Sequence, residues 1–145
     1  MEPKLTLEEL TAFLDEVFPQ VRGQMMIEEI GSMRARLRMP IDHSHLRPGG
    51  TISGPTIFTL ADYAFYVATL AMIGREALTV TTNLNINFLR KPAQRDLIGE
   101  ARVLKLGKLL SVGEVTLYSE GEERPVAHAT MTYAIPPKGA SRELG

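Results

Sequence analysis

The sequence predicts an α+β domain in which one antiparallel sheet packs on one buried helix, and three observations carry that expectation. A chain of 145 residues with 44% apolar and 23% charged residues has the size of one domain, which buries about 68–70% of its unfolded surface without staples. One segment, from Gly54-Pro55 to about Ile73, is apolar almost all the way round. The second half alternates apolar and polar residues in strand-length runs separated by turn formers.

Taken in order, Thr6 with Glu9 three residues later forms a capping-box pattern, and Leu7, Leu10, Phe13, Leu14, Val17 and Phe18 follow at helical spacing up to Pro19. Residues 1–24 therefore read as an N-terminal helical segment. From Met33 to Met39 the period changes to two, with Met33, Ala35, Leu37 and Met39 on one face and Arg34, Arg36 and Arg38 on the other. The arginine row fits a solvated face, an anion site, or pairing with acidic residues on a neighbouring strand. Residues 40–53 read as a loop, which carries His43 and His45. Pro55 suits the first turn of the long helix, which ends near Gly74. Leu78, Val80, Thr82, Leu84, Ile86 and Phe88 then alternate with Thr79, Thr81, Asn83, Asn85 and Asn87, a strand ended by Arg90-Lys91-Pro92. Further strands are expected at 96–106, 109–119 and 125–135, turning at Gly107-Lys108 and Gly121-Glu122. The expected order is helix, strand, long helix, then four strands in hairpin succession. A single domain spans 1–145, with a loose tail over 136–145.

Composition removes several function classes. Without cysteine the chain has no disulfide framework, no thiolate metal ligation and no Cys nucleophile. Sixteen basic against seventeen acidic residues give a net charge of −1, hence no global cationic field to attract nucleic acid or an anionic membrane. The first residues are acidic where an export signal needs positive charge. The longest apolar stretch, Tyr63 to Ile73, is interrupted by Thr69 and is shorter than the roughly 18 residues of a membrane span. A soluble cytoplasmic protein is expected.

Asp62 is the only charged residue of the long helix. A carboxylate there needs a partner, because desolvating it costs several kcal/mol. Either it caps or pairs with a buried polar neighbour, or it is a base or nucleophile tuned by burial. Gly54 stands at the helix start, where unpaired N–H groups and the positive end of the dipole stabilise a developing oxyanion; its plain reading is an ordinary helix start. The two positions are eight residues apart on one helix, or about 12 Å along its axis. One small reacting group does not touch both. If both take part, Gly54 of one subunit meets Asp62 of another, and the active site lies in a dimer interface.

Leu46-Arg47-Pro48-Gly49-Gly50-Thr51-Ile52-Ser53-Gly54-Pro55, then Leu60-Ala61-Asp62, then Asn85-Ile86-Asn87-Phe88-Leu89-Arg90-Lys91-Pro92, together with the order of elements, resemble the hotdog-fold thioesterases of the PaaI-like, phenylacetate-degradation type. The resemblance covers residues from about 25 to 135. It implies a sheet curled around the long helix, a homodimer with one continuous sheet, often a dimer of dimers, and an acyl-coenzyme A channel between protomers. By the same resemblance the Gly54 N–H polarises the thioester carbonyl, and Asp62 attacks that carbonyl or activates water. Coenzyme A belongs to the substrate, and no separate cofactor is implied.

The chain departs from the family pattern at three positions. Members typically read His-Gly-Gly at the helix start, with Asn six residues before the His; here Ser53-Gly54-Pro55 and Arg47 occupy those places. Ser offers no imidazole, Arg is no neutral amide, and Pro55 has no N–H. Arg47 either holds an anionic part of the substrate or pairs with Asp62. Thr81 aligns with a hydroxyl residue that positions water or the thioester in some relatives, or is a plain strand Thr. Asn83 and Asn85 share its face in the alternating pattern and line a channel or bond across strands. Arg90, Lys91, Lys105 and Lys108 sit where the family places coenzyme A phosphates, or are solvated cations. Phe58, Tyr63, Phe65 and Tyr66 shape an acyl pocket or belong to the core. His43, His45 and His128 lack metal-ligand spacing. The resulting expectation is an acyl-coenzyme A thioesterase with Asp62 and Gly54 catalytic, and Arg47, Ser53, Thr81, Asn83, Arg90, Lys91 and Lys108 substrate-binding. Its alternatives are a non-catalytic acyl-coenzyme A binding or regulatory protein and a hydratase of the same fold, which usually wants an Asp/His pair.

Overall fold

A computed structural model describes residues 1–137; residues 138–145, most of the tail expected to be loose, lie outside the described residues. The capping box forms as its sequence predicts: Thr6 Oγ1 accepts from the Glu9 N–H at 3.1 Å, Glu9 Oε1 accepts from the Thr6 N–H at 3.0 Å, and α1 runs Leu7–Val17. A short 3-10 turn follows at Pro19–Val21. Strands β1 (Met26–Gly31) and β2 (Arg34–Met39) form a hairpin, with Met33 in its turn at φ 61. A 3-10 turn at His43–His45 leads to the two-residue strands β3 (Leu46–Arg47) and β4 (Thr51–Ile52), and α2 spans Gly54–Ile73. Strands β5 (Val80–Phe88), β6 (Leu97–Leu106), β7 (Leu110–Ser119) and β8 (Ala127–Ala134) complete the chain.

Six strands make one antiparallel sheet in the order β1-β2-β6-β7-β8-β5, and α2 packs across it, chiefly on β6, β2 and β7. The inward residues alternate as the period of two requires: Ala35, Leu37 and Met39 on β2; Leu97, Ala101 and Val103 on β6; Val115 and Leu117 on β7; Ala127, Ala129, Met131 and Tyr133 on β8. Against them α2 buries Leu60, Ala61, Ala64, Phe65, Val67, Ala68 and Ala71. Glycine lets the helix approach the sheet: a Cβ on Gly113 would stand 2.4 Å from Phe65 Cε1 and 2.2 Å from the Arg102 carbonyl oxygen. By length and composition α2 passes for a membrane span, with a mean hydropathy of 1.5, but it is 67% buried as the core helix of this fold. The apolar stretch from Tyr63 underestimates it, because Asp62, Thr59 and Thr56 interrupt the apolar residues of its first half.

Four expectations are corrected. Strand β1 is absent from the sequence reading because a bulge at Glu28 places Ile27 opposite Leu37 and Glu29 opposite Arg36; the extra residue hides the period of two. The loop over 40–53 contains a capped 3-10 turn and the β3–β4 ribbon, whose connection turns through Gly49 and Gly50 at φ 96 and 76, a backbone that favours glycine. The last four strands are not a hairpin succession: β5 pairs with β8 at the sheet edge, so residues 89–96 carry the chain back to the centre. A second bulge falls in β5, between Thr81 and Asn83, and it changes the face reading discussed below.

The row of arginines on β2 is resolved in favour of pairing. Arg36 bonds Glu28 Oε1 at 3.0 Å and Glu100 Oε1 at 2.9 Å; Arg38 bonds Glu28 Oε2 at 2.6 Å, Asp96 Oδ2 at 3.1 Å and Glu120. Arg34 makes no ion pair among the described residues.

Candidate active site

Ser53 caps α2, its Oγ accepting from the Thr56 N–H at 3.3 Å, while its own carbonyl takes the Ile57 N–H. Pro55 has no N–H to offer. That leaves the Gly54 N–H without an acceptor among the described residues, at the positive end of a 20-residue helix. The Phe88 ring lies beside it, 3.4 Å from where a Gly54 Cβ would stand.

Eight residues further along α2, Asp62 is partly buried. Its Oδ1 accepts from the Thr81 hydroxyl at 2.6 Å and from the Tyr133 hydroxyl at 2.5 Å. Tyr133 also reaches the Asp62 main-chain oxygen at 2.6 Å. Among the described residues Oδ2 takes no hydrogen bond, and it is not among the buried atoms left without a partner. A carboxylate held through one oxygen, with the other open, is oriented for proton abstraction or attack. Burial, reinforced by the charge of Asp62, holds the Tyr133 phenol well above its usual pKa, so the group stays a neutral donor.

The bulge in β5 explains how Thr81 arrives there. Thr81 lies opposite Tyr133 and Leu84 opposite Met131, both inward positions, whereas Asn83 lies opposite Thr132 and Asn85 opposite Thr130. Thr82 is the extra residue. Thr81 therefore faces α2, and Asn83 and Asn85 are on the other face, corrected from the shared face that strict alternation implies. The two Asn side chains bond each other at 3.3 Å. Tyr133 was not singled out in the sequence, although its place in the Ala127, Ala129, Met131, Tyr133 series marks an inward polar group at the sheet edge.

The remaining candidates are dispersed. Arg47 is exposed on β3 and pairs with no carboxylate among the described residues, so the Arg47–Asp62 pair is not formed within one chain. Arg90 Nη1 donates to the Pro125 carbonyl at 2.6 Å. Lys91, Lys105 and Lys108 are exposed. Lys108 precedes Leu110, which shares a rung with Ala134 and Val80, whereas Arg90 and Lys91 follow Phe88 at the far end of β5. Nine strand residues, about 27 Å, separate the two groups of cations. Phe65 and Tyr66 are core, the Tyr66 hydroxyl donating to the Ala77 carbonyl at 3.0 Å, whereas Phe58 is 40% exposed. His45 Nδ1 accepts from the Asp42 N–H, and His128 Nε2 lies 2.8 Å from Glu114 Oε1. A groove of about 440 Å³ between α1 and β1 is lined by Leu14, Val21, Met25, Ile27, Leu37 and Tyr63 among others, but not by Asp62, Thr81 or Gly54.

Known proteins are similar to this chain in sequence and in fold. A family model described as Thioesterase superfamily matches residues 49–126, more than half of the chain. A solved structure from Silicibacter sp. TM1040, described as a "putative thioesterase", is 51% identical, with a TM-score of 0.88 over 94% of this chain and 96% of that one. The PaaI protein from the phenylacetic acid degradation operon of E. coli has the same fold at 20% identity and a TM-score of 0.77, over 90% of this chain and 93% of its own. A curated relative from Saccharolobus solfataricus, "Putative esterase SSO1253", is 28% identical over 137 residues, 92% of this chain and 87% of the relative. The stretch matched by the family model contains Gly54, Asp62 and Thr81, and the chain belongs to the thioesterase superfamily, with the hotdog fold of its PaaI-like members.

Proposed function

We propose that this thioester hydrolase cleaves acyl-coenzyme A to a free acid and coenzyme A, using Asp62 of one protomer and the Gly54 N–H of another. The observation that carries the reading is the carboxylate of Asp62, fixed through Oδ1 with Oδ2 free. In the water route, Oδ2 takes a proton as the water oxygen bonds to the thioester carbon. The carbonyl oxygen gains charge, which the Gly54 N–H stabilises. Collapse of the tetrahedral intermediate breaks the C–S bond, and the proton on Asp62 passes to the departing sulfur. In the alternative route Oδ2 attacks the carbon itself and the C–S bond breaks, coenzyme A leaving as the thiolate that takes a proton from water. Water then hydrolyses the mixed anhydride, and its attack at the aspartyl carbon places ¹⁸O from labelled water in Asp62, which the water route never does.

Pairing of protomers follows from the sheet edge. Among the described residues strand β5 has a neighbour on one side alone, and its Val80 and Phe88 are 53% and 55% exposed. Antiparallel pairing of two β5 strands about Leu84 sets Phe88 of one copy across from Val80 of the other. Gly54, which packs on Phe88, then comes to the Thr81 end, where Asp62 of the other copy stands. This supports the split site that the 12 Å separation requires. Arg90 and Lys91 at the strand end, Arg47 on its ribbon and Lys108 in its turn are the cations offered to coenzyme A phosphates.

The test is thiol release from a panel of acyl- and aryl-coenzyme A esters. Wild-type turnover that Asp62→Asn abolishes without changing the melting temperature supports the reading; unchanged turnover in Asp62→Asn refutes it. Binding of the esters without thiol release by the wild type assigns the protein instead to acyl-coenzyme A binding.

A further inference from the structure

We infer that Tyr133 is a positioning residue for Asp62, whose hydroxyl hydrogen points to Oδ1 while the carboxylate is ionised and to the Asp62 main-chain oxygen once it carries a proton. The inference rests on the reading of Asp62 as the working carboxylate and extends it to the group behind it. The phenol oxygen lies 2.5 Å from Oδ1 and 2.6 Å from the main-chain oxygen, yet a tyrosine hydroxyl has one hydrogen to give. Both contacts are short, so the hydrogen favours whichever oxygen carries more charge. The main-chain oxygen has two lone pairs and takes a second donor without leaving the helix. Tyr133 is 2% exposed, so water does not compete for the hydroxyl.

Other groups around Asp62 do not duplicate this role. From β5 comes Thr81, which does not titrate; from β8 comes Tyr133; and on α2 the Tyr66 ring sits 6.1 Å from that of Tyr133 while its hydroxyl is committed to the Ala77 carbonyl. No cation pairs with Asp62 among the described residues. The phenol therefore supplies the one donor that is both buried and able to choose between two acceptors. When Oδ2 takes a proton, Oδ1 loses charge, and the hydrogen of Tyr133 moves to the neighbouring carbonyl without any atom travelling far. A merely structural tie between β8 and α2 needs only the main-chain contact and leaves Oδ1 indifferent.

The experiment is an NMR titration of the full-length protein with labelled Asp carboxyls, the Asp62 signal assigned by its loss in Asp62→Asn. Tyr133 donates to the ionised carboxylate at 2.5 Å, so removing that donor in Tyr133→Phe is expected to move the Asp62 carboxyl transition toward higher pH. The acid limb of kcat/KM moves with it, and kcat falls about tenfold while KM changes less than twofold. If Tyr133→Phe does not fold, the wild-type Tyr133 hydroxyl proton resonance is followed instead; it is expected to shift through the Asp62 transition. An Asp62 midpoint that does not move in a folded Tyr133→Phe, or a hydroxyl resonance indifferent to that transition, overturns the inference. Neither readout needs turnover. A wild type that hydrolyses no thioester refutes the proposed function alone.

Discussion

Replacing Gly113 by alanine tests how α2 is seated on the sheet. Gly113 is on the inward face of β7, beside the irregularity where Val103 pairs with Gly113 and Lys105 with Val112. An added Cβ meets the Arg102 carbonyl oxygen at 2.2 Å, Phe65 Cε1 at 2.4 Å and Phe65 Cζ at 2.9 Å. The nearest obstacle is backbone, and Phe65 is fully buried, so neither can swing aside. Overpacking of this kind costs about 1–3 kcal/mol, and a backbone obstacle places Gly113→Ala near 3 kcal/mol. With an unfolding entropy of about 0.3 kcal/mol per degree for this length, the melting temperature falls by about 10 °C. Gly99 on β6 is the control, because its added Cβ meets side chains alone, Leu60 Cγ at 3.2 Å, the Ala64 Cβ at 3.5 Å and Leu60 Cδ1 at 3.6 Å. Side-chain adjustment and the smaller unfolded-state entropy of alanine offset one another there, so Gly99→Ala is expected to stay within about 1 kcal/mol of wild type. Thermal melts by circular dichroism decide it. A Gly113→Ala protein that melts within 2 °C of wild type, or a Gly99→Ala protein that melts as low as Gly113→Ala is expected to, refutes this account of the helix–sheet contact.

Two further substitutions separate structural from substrate-facing charges. Glu28 ties Arg36 and Arg38 together, and its bond to Arg38 is the largest cause holding its carboxyl below the usual range. That contribution is complete above the unfolded value of about 4.5 and is lost as pH falls through the lower folded value. Glu28→Gln should therefore cost about 1 kcal/mol at pH 7, discounted for its partial exposure, and the gap to wild type in urea melts should close on acidification below about pH 4.5. Arg90→Ala removes a donor to the Pro125 carbonyl and should lower the melting temperature by about 3 °C, for a bond worth about 1 kcal/mol. A rise in KM for acyl-coenzyme A with no change in melting would instead assign the guanidinium to the substrate.

What is legible in the sequence and what is not divides along the bulges in β1 and β5. Helix α1 and the strands β2, β7 and β8 follow from periodicity, β6 from its alternation up to the irregularity after Val103, and α2 from being apolar almost all round; every inward residue of β8 and β2 is an apolar residue at an even spacing, save Tyr133. Strand β1 defeats that test at Glu28, where one extra residue shifts Ile30 out of phase with Ile27. In β5 the extra residue, Thr82, does something more consequential. It keeps Leu84 and Ile86 inward while turning Thr81 inward as well, so a strand that reads as one polar and one apolar face in fact changes faces midway. Asp62 was visible as the lone charge on an apolar helix, and Gly54 as the residue opening it. Their distance was visible too, since helix rise is fixed. Tyr133 was not, because an inward tyrosine ending a strand is indistinguishable from core until strand order is known.

Strand order is what joins the two halves of the site. Sequence succession places β5 next to β6, and in that arrangement Thr81 has no neighbour from β8. With β5 moved to the edge beside β8, Thr81 and Tyr133 become partners on one rung, and both hydroxyls converge on a single carboxylate oxygen. The same move leaves β5 with an open side, at the only strand that also touches the start of α2 through Phe88 among the contacts described at Gly54. The residues that orient Asp62 and the edge on which a second copy is proposed to dock are thus consequences of one topological fact. A variant that unpairs β5 from β8 is therefore expected to lose carboxylate orientation and the proposed β5–β5 pairing together, whereas Tyr133→Phe weakens the first, leaving Thr81 on Oδ1, and keeps the second.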